Sequence, residues 1–303
     1  MKKFLSVSFL SVSLLFAKGA IILDPAVVEI FYLLNCEDKI TAIAKTQQSK
    51  IWPEEKTQNL PTVGTYIKPN LERIIELDPD IVITNFHSTE ILDDLKRFKI
   101  EYKDTQANSL EDIYNNITIV GEFCKKKDEA KELIDNFKSQ ISKLDTSKLK
   151  GKKAVFFYSS SNLMSFGKET LPSDIFKSLN LINLADKLDG KTPIVTNEFL
   201  IEQDPDFMVV VGNLSVDEFL KQNPVLKHTA AAKNNKIIIV SSSSLLRGSP
   251  RLVDEIKRLY EEFIKWDTFY SLCFLMRSFC LCRCHQPQLA HMQKMSQLVS
   301  SLV

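Results

Sequence analysis

The chain has 303 residues, 44% of them hydrophobic and 25% charged, with a formal net charge of +1. That length can bury one large core or two moderate ones, and the composition is that of an ordinary globular protein. Near-neutral charge removes any global electrostatic argument for nucleic acid or an acidic membrane surface, and no GxGxxG or GxxxxGK[ST] nucleotide loop is present among the eight glycines.

Lys2 and Lys3 precede an apolar run from Phe4 to Phe16 that closes on Ala17. A charged start, apolar middle and small-residue end predict a cleavable signal peptide over residues 1–17. Thirteen apolar positions are too few to span a bilayer comfortably. No cysteine adjoins the expected cleavage point, so an exported, soluble protein is predicted.

From Ala20 the pattern alternates strand and helix. Ala20–Leu23 reads as a strand and Pro25 starts a helix, where a proline is well placed. The face of that helix uses Val27, Val28, Phe31 and Leu34. Ile40–Ala44 is the next strand, followed by a polar loop with Lys50, Trp52 and Pro53. Gly64–Asn85 then reads as a loop with an aromatic tip at Tyr66, a helix capped by Asn70, an Asp78-Pro79-Asp80 break and an apolar strand from Ile81. Ile91–Phe98 and Ser109–Cys124 read as helices with a short strand, Glu101–Lys103, between them. Alternation of this kind implies parallel sheets with right-handed crossovers.

Between Lys126 and Lys148 the residues Ala130, Leu133, Ile134, Phe137, Ile141 and Leu144 recur at three- and four-residue steps. They make one apolar stripe on a helix of about 20 residues, or about 30 Å. Strands follow at Ala154–Tyr158 and Ile237–Val240, with helices at Ile175–Leu179, Val216–Leu220 and Leu252–Ile264.

The Gly64–Asn85 pattern occurs twice. Thr196–Asn213 repeats it, and in both copies a glutamate lies six residues before Asp-Pro-Asp: Glu72 before Asp78 and, 126 residues on, Glu198 before Asp204. The repeat predicts an α/β fold of two Rossmann-like lobes joined by a single long backbone helix. The boundaries are an N-terminal lobe at 18–124, a linker helix at 125–150 and a C-terminal lobe at 151–265. Residues 266–303 are set apart. After Asp267 there is no Asp or Glu, yet four of the six cysteines (Cys273, Cys280, Cys282, Cys284) lie there. Their spacing fits no standard zinc pattern, and the segment reads as an addition outside the fold.

A site is expected between the lobes, at the carboxyl ends of the strands. Catalysis finds little there: only His87 and His228 occur before the tail, without GxSxG or HExxH. An exported α/β enzyme using the same cleft is the alternative of a different class. Arg247 suits an anionic group, and Arg251 reads as structural. Trp52, Tyr66, Phe86, Tyr158 and Phe166 are aromatics after strands, which suit a flat or hydrophobic ligand. Glu72 and Glu198, in the first turns of equivalent helices, suit either the helix dipole or the basic sockets of a two-fold partner.

Taken together, these residues resemble the periplasmic substrate-binding proteins of ABC importers for ferric siderophores, haem and cobalamin. The resemblance runs from about Gly19 to Phe263. It is carried by Asp24-Pro25-Ala26, Asn70-Leu71-Glu72-Arg73, Asn197-Glu198, Asp204-Pro205-Asp206, Gly167-Lys168-Glu169 and Arg247-Gly248-Ser249-Pro250-Arg251. It implies that Glu72 and Glu198 engage arginines of two permease subunits coupled to an ATPase, and that Tyr66 and Arg247 line the cleft. It also implies limited lobe motion and no intrinsic cofactor. The implied ligand is a metal chelate: a ferric siderophore first, using Arg247, Lys50 or Lys68, with haem, cobalamin or a nickel or cobalt chelate as alternatives. Tyr66 or His87 is the candidate axial ligand of a haem and His87 a candidate for a nickel or cobalt chelate, with no metal ligand otherwise assigned. Cys36 departs from the family, which has glycine there.

Overall fold

A computed structural model describes residues 18–279 apart from Gln48 and residues 242–244, with side chains described as far as Lys265. The predicted signal peptide, and the side chains of the cysteine-rich tail, lie outside the described residues. The chain separates into two compact units, Met1–Phe263 and Ile264–Val303, and the first holds both sheets.

Short runs of β-branched and apolar residues form two parallel sheets. The first contains β1 (Ala20–Ile22), β2 (Ile40–Lys45), β3 (Thr62–Thr65), β4 (Ile81–Thr84) and β5 (Tyr102–Asp104), in the order β3-β2-β1-β4-β5. The second contains β6 (Lys153–Phe157), β7 (Ile182–Asn183), β8 (Phe207–Val211) and β9 (Ile237–Val240), in the order β7-β6-β8-β9. β1, β4, β6 and β8 are buried along most of their length, which is why they read as continuous apolar runs rather than alternating ones. Strand order reverses between β1 and β4 in one lobe and between β6 and β8 in the other. Such switch points leave a crevice at the strands' carboxyl ends.

Two strands differ from the sequence expectation. β3 lies where a loop was expected: of Thr62-Val63-Gly64-Thr65 only Val63 is buried, and the strand pairs only with β2 at the sheet edge. Gly64 has φ +99°, and a Cβ there would meet Lys68 O at 2.8 Å, so the turn that returns to Asn70 needs glycine. β7 is two residues long, too short to show a period.

The repeated unit is the same in both lobes. α3 (Leu71–Glu76) is capped by Asn70, whose side chain accepts from Arg73 N; α8 (Asn197–Gln203) is capped by Thr196, which accepts from Phe199 N. Both helices stop at an aspartate in the left-handed region, Asp78 at φ 42° and Asp204 at φ 45°, followed by proline. Asp80 N then bonds Gly19 O, and Asp206 N bonds Lys153 O, tying each break to the strand beside it.

Five more helices frame the lobes. α1 (Pro25–Leu33) starts at Asp24, whose Oδ1 accepts from Ala26 N at 2.9 Å. α5 (Leu110–Phe123) and α6 (Lys127–Ser142) form a hairpin, and α5 touches α1 on one lobe and α7 (Leu171–Ser178) on the other. Leu110 N donates to Asp174 Oδ2 at 2.8 Å across the lobes. α6 carries the chain over. It has 16 residues rather than the expected 20, because Leu144-Asp145 turns the chain into a 3-10 segment, Thr146–Leu149. The last helix, α11 (Leu252–Phe279), runs past the predicted end at Ile264, although its fully described buried positions, Leu252, Val253, Ile256, Leu259 and Phe263, stop in the first unit.

Cys36, after α1, and Cys124, after α5, form a disulfide with Cα atoms 6.2 Å apart. The sequence reading passed over it; the signal was that only these two cysteines precede the tail.

Candidate functional site

The carboxyl-end loops of the two sheets meet. From the C-terminal lobe, the loop after β9 brings Arg247 to the N-terminal lobe. There Nη1 donates to Glu29 Oε1 (2.8 Å) and Lys50 O (2.7 Å), and Nη2 to Ser49 Oγ (2.9 Å). Ser249 Oγ donates to the other Glu29 oxygen at 2.7 Å, and Arg251 lies 3.8 Å from it. A Cβ on Gly248 would meet Ala107 at 2.5 Å, so the loop lies hard against the N-terminal lobe. Glu29 is 1% exposed and is the one charge in the otherwise apolar PAVVEIFYL helix; a buried carboxylate of this kind needs such partners. Arg251 also stacks over Trp52, its guanidinium 5.0 Å from the ring.

At the β1/β4 switch, Asn85 is buried and its Nδ2 donates to Leu23 O (2.8 Å), while its Oδ1 accepts from His87 N (2.8 Å). That clamp fixes the loop carrying Phe86 and His87. The His87 ring packs 4.4 Å from Tyr66 and 4.9 Å from Phe86, giving a three-ring shelf over the ends of β3 and β4. Burial pulls the His87 imidazole below its usual value, which favours the neutral form. Burial raises the Tyr66 phenol, Asp24 adds to the rise and Arg247 opposes it. Asp24, at the end of β1, also accepts from Thr105 Oγ1 at 3.1 Å. Desolvation pushes its carboxyl up to about 6, against the pull of Ala26 N, Thr105 and Arg247. Sequence reasoning did not rank Asp24 as a site residue; the signal was an aspartate capping a helix immediately after the central strand.

The predicted site residues therefore divide. Tyr66, Phe86 and His87 come together, with Asp24 and Arg247 close enough to act on Tyr66. Arg247 itself is committed to Glu29, Ser49 and Lys50. Lys50 is exposed and its Nζ pairs with Glu54 at 2.7 Å. Trp52 lies under Arg251. Tyr158 follows β6 on the other lobe, with its hydroxyl 3.2 Å from Met164 Sδ and its ring 5.0 Å from Phe166. Among the described residues no group of three metal-ligating side chains occurs, and no helix is long and apolar enough to cross a membrane. His228 is exposed at the end of a 3-10 turn.

Glu72 and Glu198 are each the second residue of their helix and exposed. Neither has an ion-pair partner among the described residues, so helix-dipole complementarity is their only internal role.

Two parallel α/β lobes meeting at the carboxyl edges of their sheets define a class of ligand-binding proteins. The model of the periplasmic binding protein family matches residues 21–243, and the chain belongs to that family. It is 24% identical over 233 residues to the ferric-anguibactin-binding protein of Vibrio anguillarum, covering 70% of this chain and 71% of that one. It is 25% identical over 245 residues to a vitamin B12-binding protein of Vibrio parahaemolyticus, covering 80% and 87%. In fold it is similar to a possible iron-binding periplasmic solute-binding protein from Staphylococcus epidermidis, with a TM-score of 0.70 at 22% identity, covering 80% and 97%. The family is one of solute-binding proteins.

Proposed function

We propose that this protein captures a metal chelate where the two lobes meet and delivers it to the paired permease subunits of an ABC importer. The observation that carries the delivery step is the matched pair of exposed, unpaired glutamates, Glu72 and Glu198, at the same position of equivalent helices on the two lobes. A permease with two-fold symmetry offers two equivalent basic sockets, and two carboxylates on pseudo-symmetric lobes complement them. The relatives named for ferric anguibactin and vitamin B12 support a chelate as the cargo. Tyr66, His87 and Phe86 form the ligand shelf on one lobe and Tyr158 faces the site from the other. Glu29, Arg247 and Arg251 hold the lobes at their working angle. Export by a cleavable signal peptide places the protein in the periplasm as a monomer.

The test is uptake in cells carrying Glu72→Ala with Glu198→Ala. Uptake falls at least tenfold while the chelate affinity of the purified variant is unchanged. Wild-type uptake by the double variant would sink the docking assignment.

A further inference from the structure

Building on chelate capture, we infer that the cargo carries little net negative charge and presents an apolar or conjugated face to the site. Three observations converge on this.

The first is where exposed apolar surface lies. Phe86 (64% exposed), Ile194 (62%) and Ile67 (57%) stand out from the other exposed large apolar side chains described, which range from 41 to 46%. Ile67 and Ile194 lie on loops and Phe86 opens a 3-10 segment. Ile67 follows Tyr66 at the end of β3, and Phe86 follows Asn85 at the end of β4. Ile194 bridges to Met164, whose carbonyl accepts from Tyr158 N at the end of β6. Exposed apolar side chains gathered at one functional edge mark a surface meant to be covered.

The second is the state of the cations. Arg247 already donates to Glu29, Ser49 and Lys50. Arg251 is held between Trp52 and Glu29, and Lys50 is paired with Glu54. An anionic chelate drawing on Arg247 would leave Glu29 buried without its closest guanidinium, which is unfavourable. Lys45 and Lys68 stand exposed at the ends of β2 and β3, outside the Glu29 network.

The third is the charge balance. Asp24 and Glu29 set two carboxylates against the two guanidiniums of Arg247 and Arg251, so these four groups balance and the positive charge left for a ligand is that of Lys45 and Lys68 at the exposed rim. Gln48 and Ser242–Ser244, outside the described residues, are uncharged types and cannot alter that sum. What remains to grip a ligand is the Tyr66–His87–Phe86 shelf on one lobe and Tyr158 and Ile194 on the other. Such surfaces favour stacking and apolar burial.

The experiment titrates the purified protein, by calorimetry, with five complexes of graded charge: a cationic ferric trihydroxamate, cyanocobalamin, haemin, ferric citrate and a trianionic ferric tricatecholate. At least one of the first three binds at least 100-fold tighter than either of the last two, and Phe86→Ala with Ile194→Ala weakens it at least tenfold. Tightest binding of the citrate or tricatecholate complex overturns the charge inference while leaving chelate capture standing. Unchanged affinity in the double variant overturns the apolar grip. Binding of none of the five overturns chelate capture itself, and this inference with it.

Discussion

Glu29 is the residue whose role was least legible in the chain. Its neighbours in α1 are apolar, and the stripe Val27, Val28, Phe31, Leu34 describes the helix without it. Its partners arrive from 218 and 220 residues away, a distance that no local pattern encodes. Glu29→Ala leaves Arg247 without its closest carboxylate, so unfolding free energy falls by about 3–5 kcal/mol in urea titrations. Glu29→Ala with Arg247→Ala loses less than the sum of the two single changes, since each single change strands the other charge. An additive double variant would show that the two side chains act independently. Asp24 gives a pH dependence with a definite sign. Its folded value, about 6, lies above the ordinary 3.8, so the native state holds the proton more tightly than the unfolded chain. The stabilisation from that proton is fully present below about pH 4 and is lost as pH rises through about 6. Because Asp24 is only partly buried, the change is about 2 kcal/mol. Urea unfolding from pH 4 to 7 in wild type and Asp24→Asn measures it, the variant showing a flatter profile.

At the scale of elements, the helices announced themselves by period and cap, and the central strands by uninterrupted apolar runs. β3 and β7 did not, because a four-residue edge strand with one buried side chain and a two-residue strand are defined by their neighbours' hydrogen bonds rather than by their own pattern. The α5–α6 hairpin depends on a close approach that only the tertiary structure shows: a Cβ on Gly121 would lie 2.4 Å from Ala130 Cβ. Gly121→Ala should gain about 1 kcal/mol of helix propensity. Overpacking costs about 1–3 kcal/mol, so the clash wins and the variant is less stable in urea. The Cys36–Cys124 bond closes 88 residues of chain and ties the end of α1 to the end of α5. Replacing both cysteines by serine lowers unfolding free energy by about 4.6 kcal/mol on the chain-entropy account. A reductant then has no further effect on the variant, though it destabilises the wild type.

At the scale of the molecule, the 126-residue repeat was the feature that implied two lobes, and the equivalent caps, left-handed aspartates and strand ties of α3 and α8 bear out that equivalence residue by residue. The described buried stripe of α11 ends at Phe263, as does the first compact unit. A chain ending at Lys265 is therefore expected to melt cooperatively and to bind its chelate with wild-type affinity. Loss of cooperativity would show that the following residues complete the core.

What the sequence determined by itself was everything that depends on near neighbours: strand and helix types, caps, the Asp-Pro-Asp breaks, and the matched placing of Glu72 and Glu198. Phe86 and His87 were readable because loops after buried strands collect at one edge of a parallel sheet, and Tyr66 because it is the aromatic tip of the repeated loop–helix–strand unit. Only the tertiary structure decided how Arg247 is used. From sequence it is a free cation suited to an anionic ligand; in the fold it is bound by a glutamate buried in the opposite lobe. The reason is that a side chain's availability depends on what else its charge must satisfy, and burial creates that demand only once distant segments pack together.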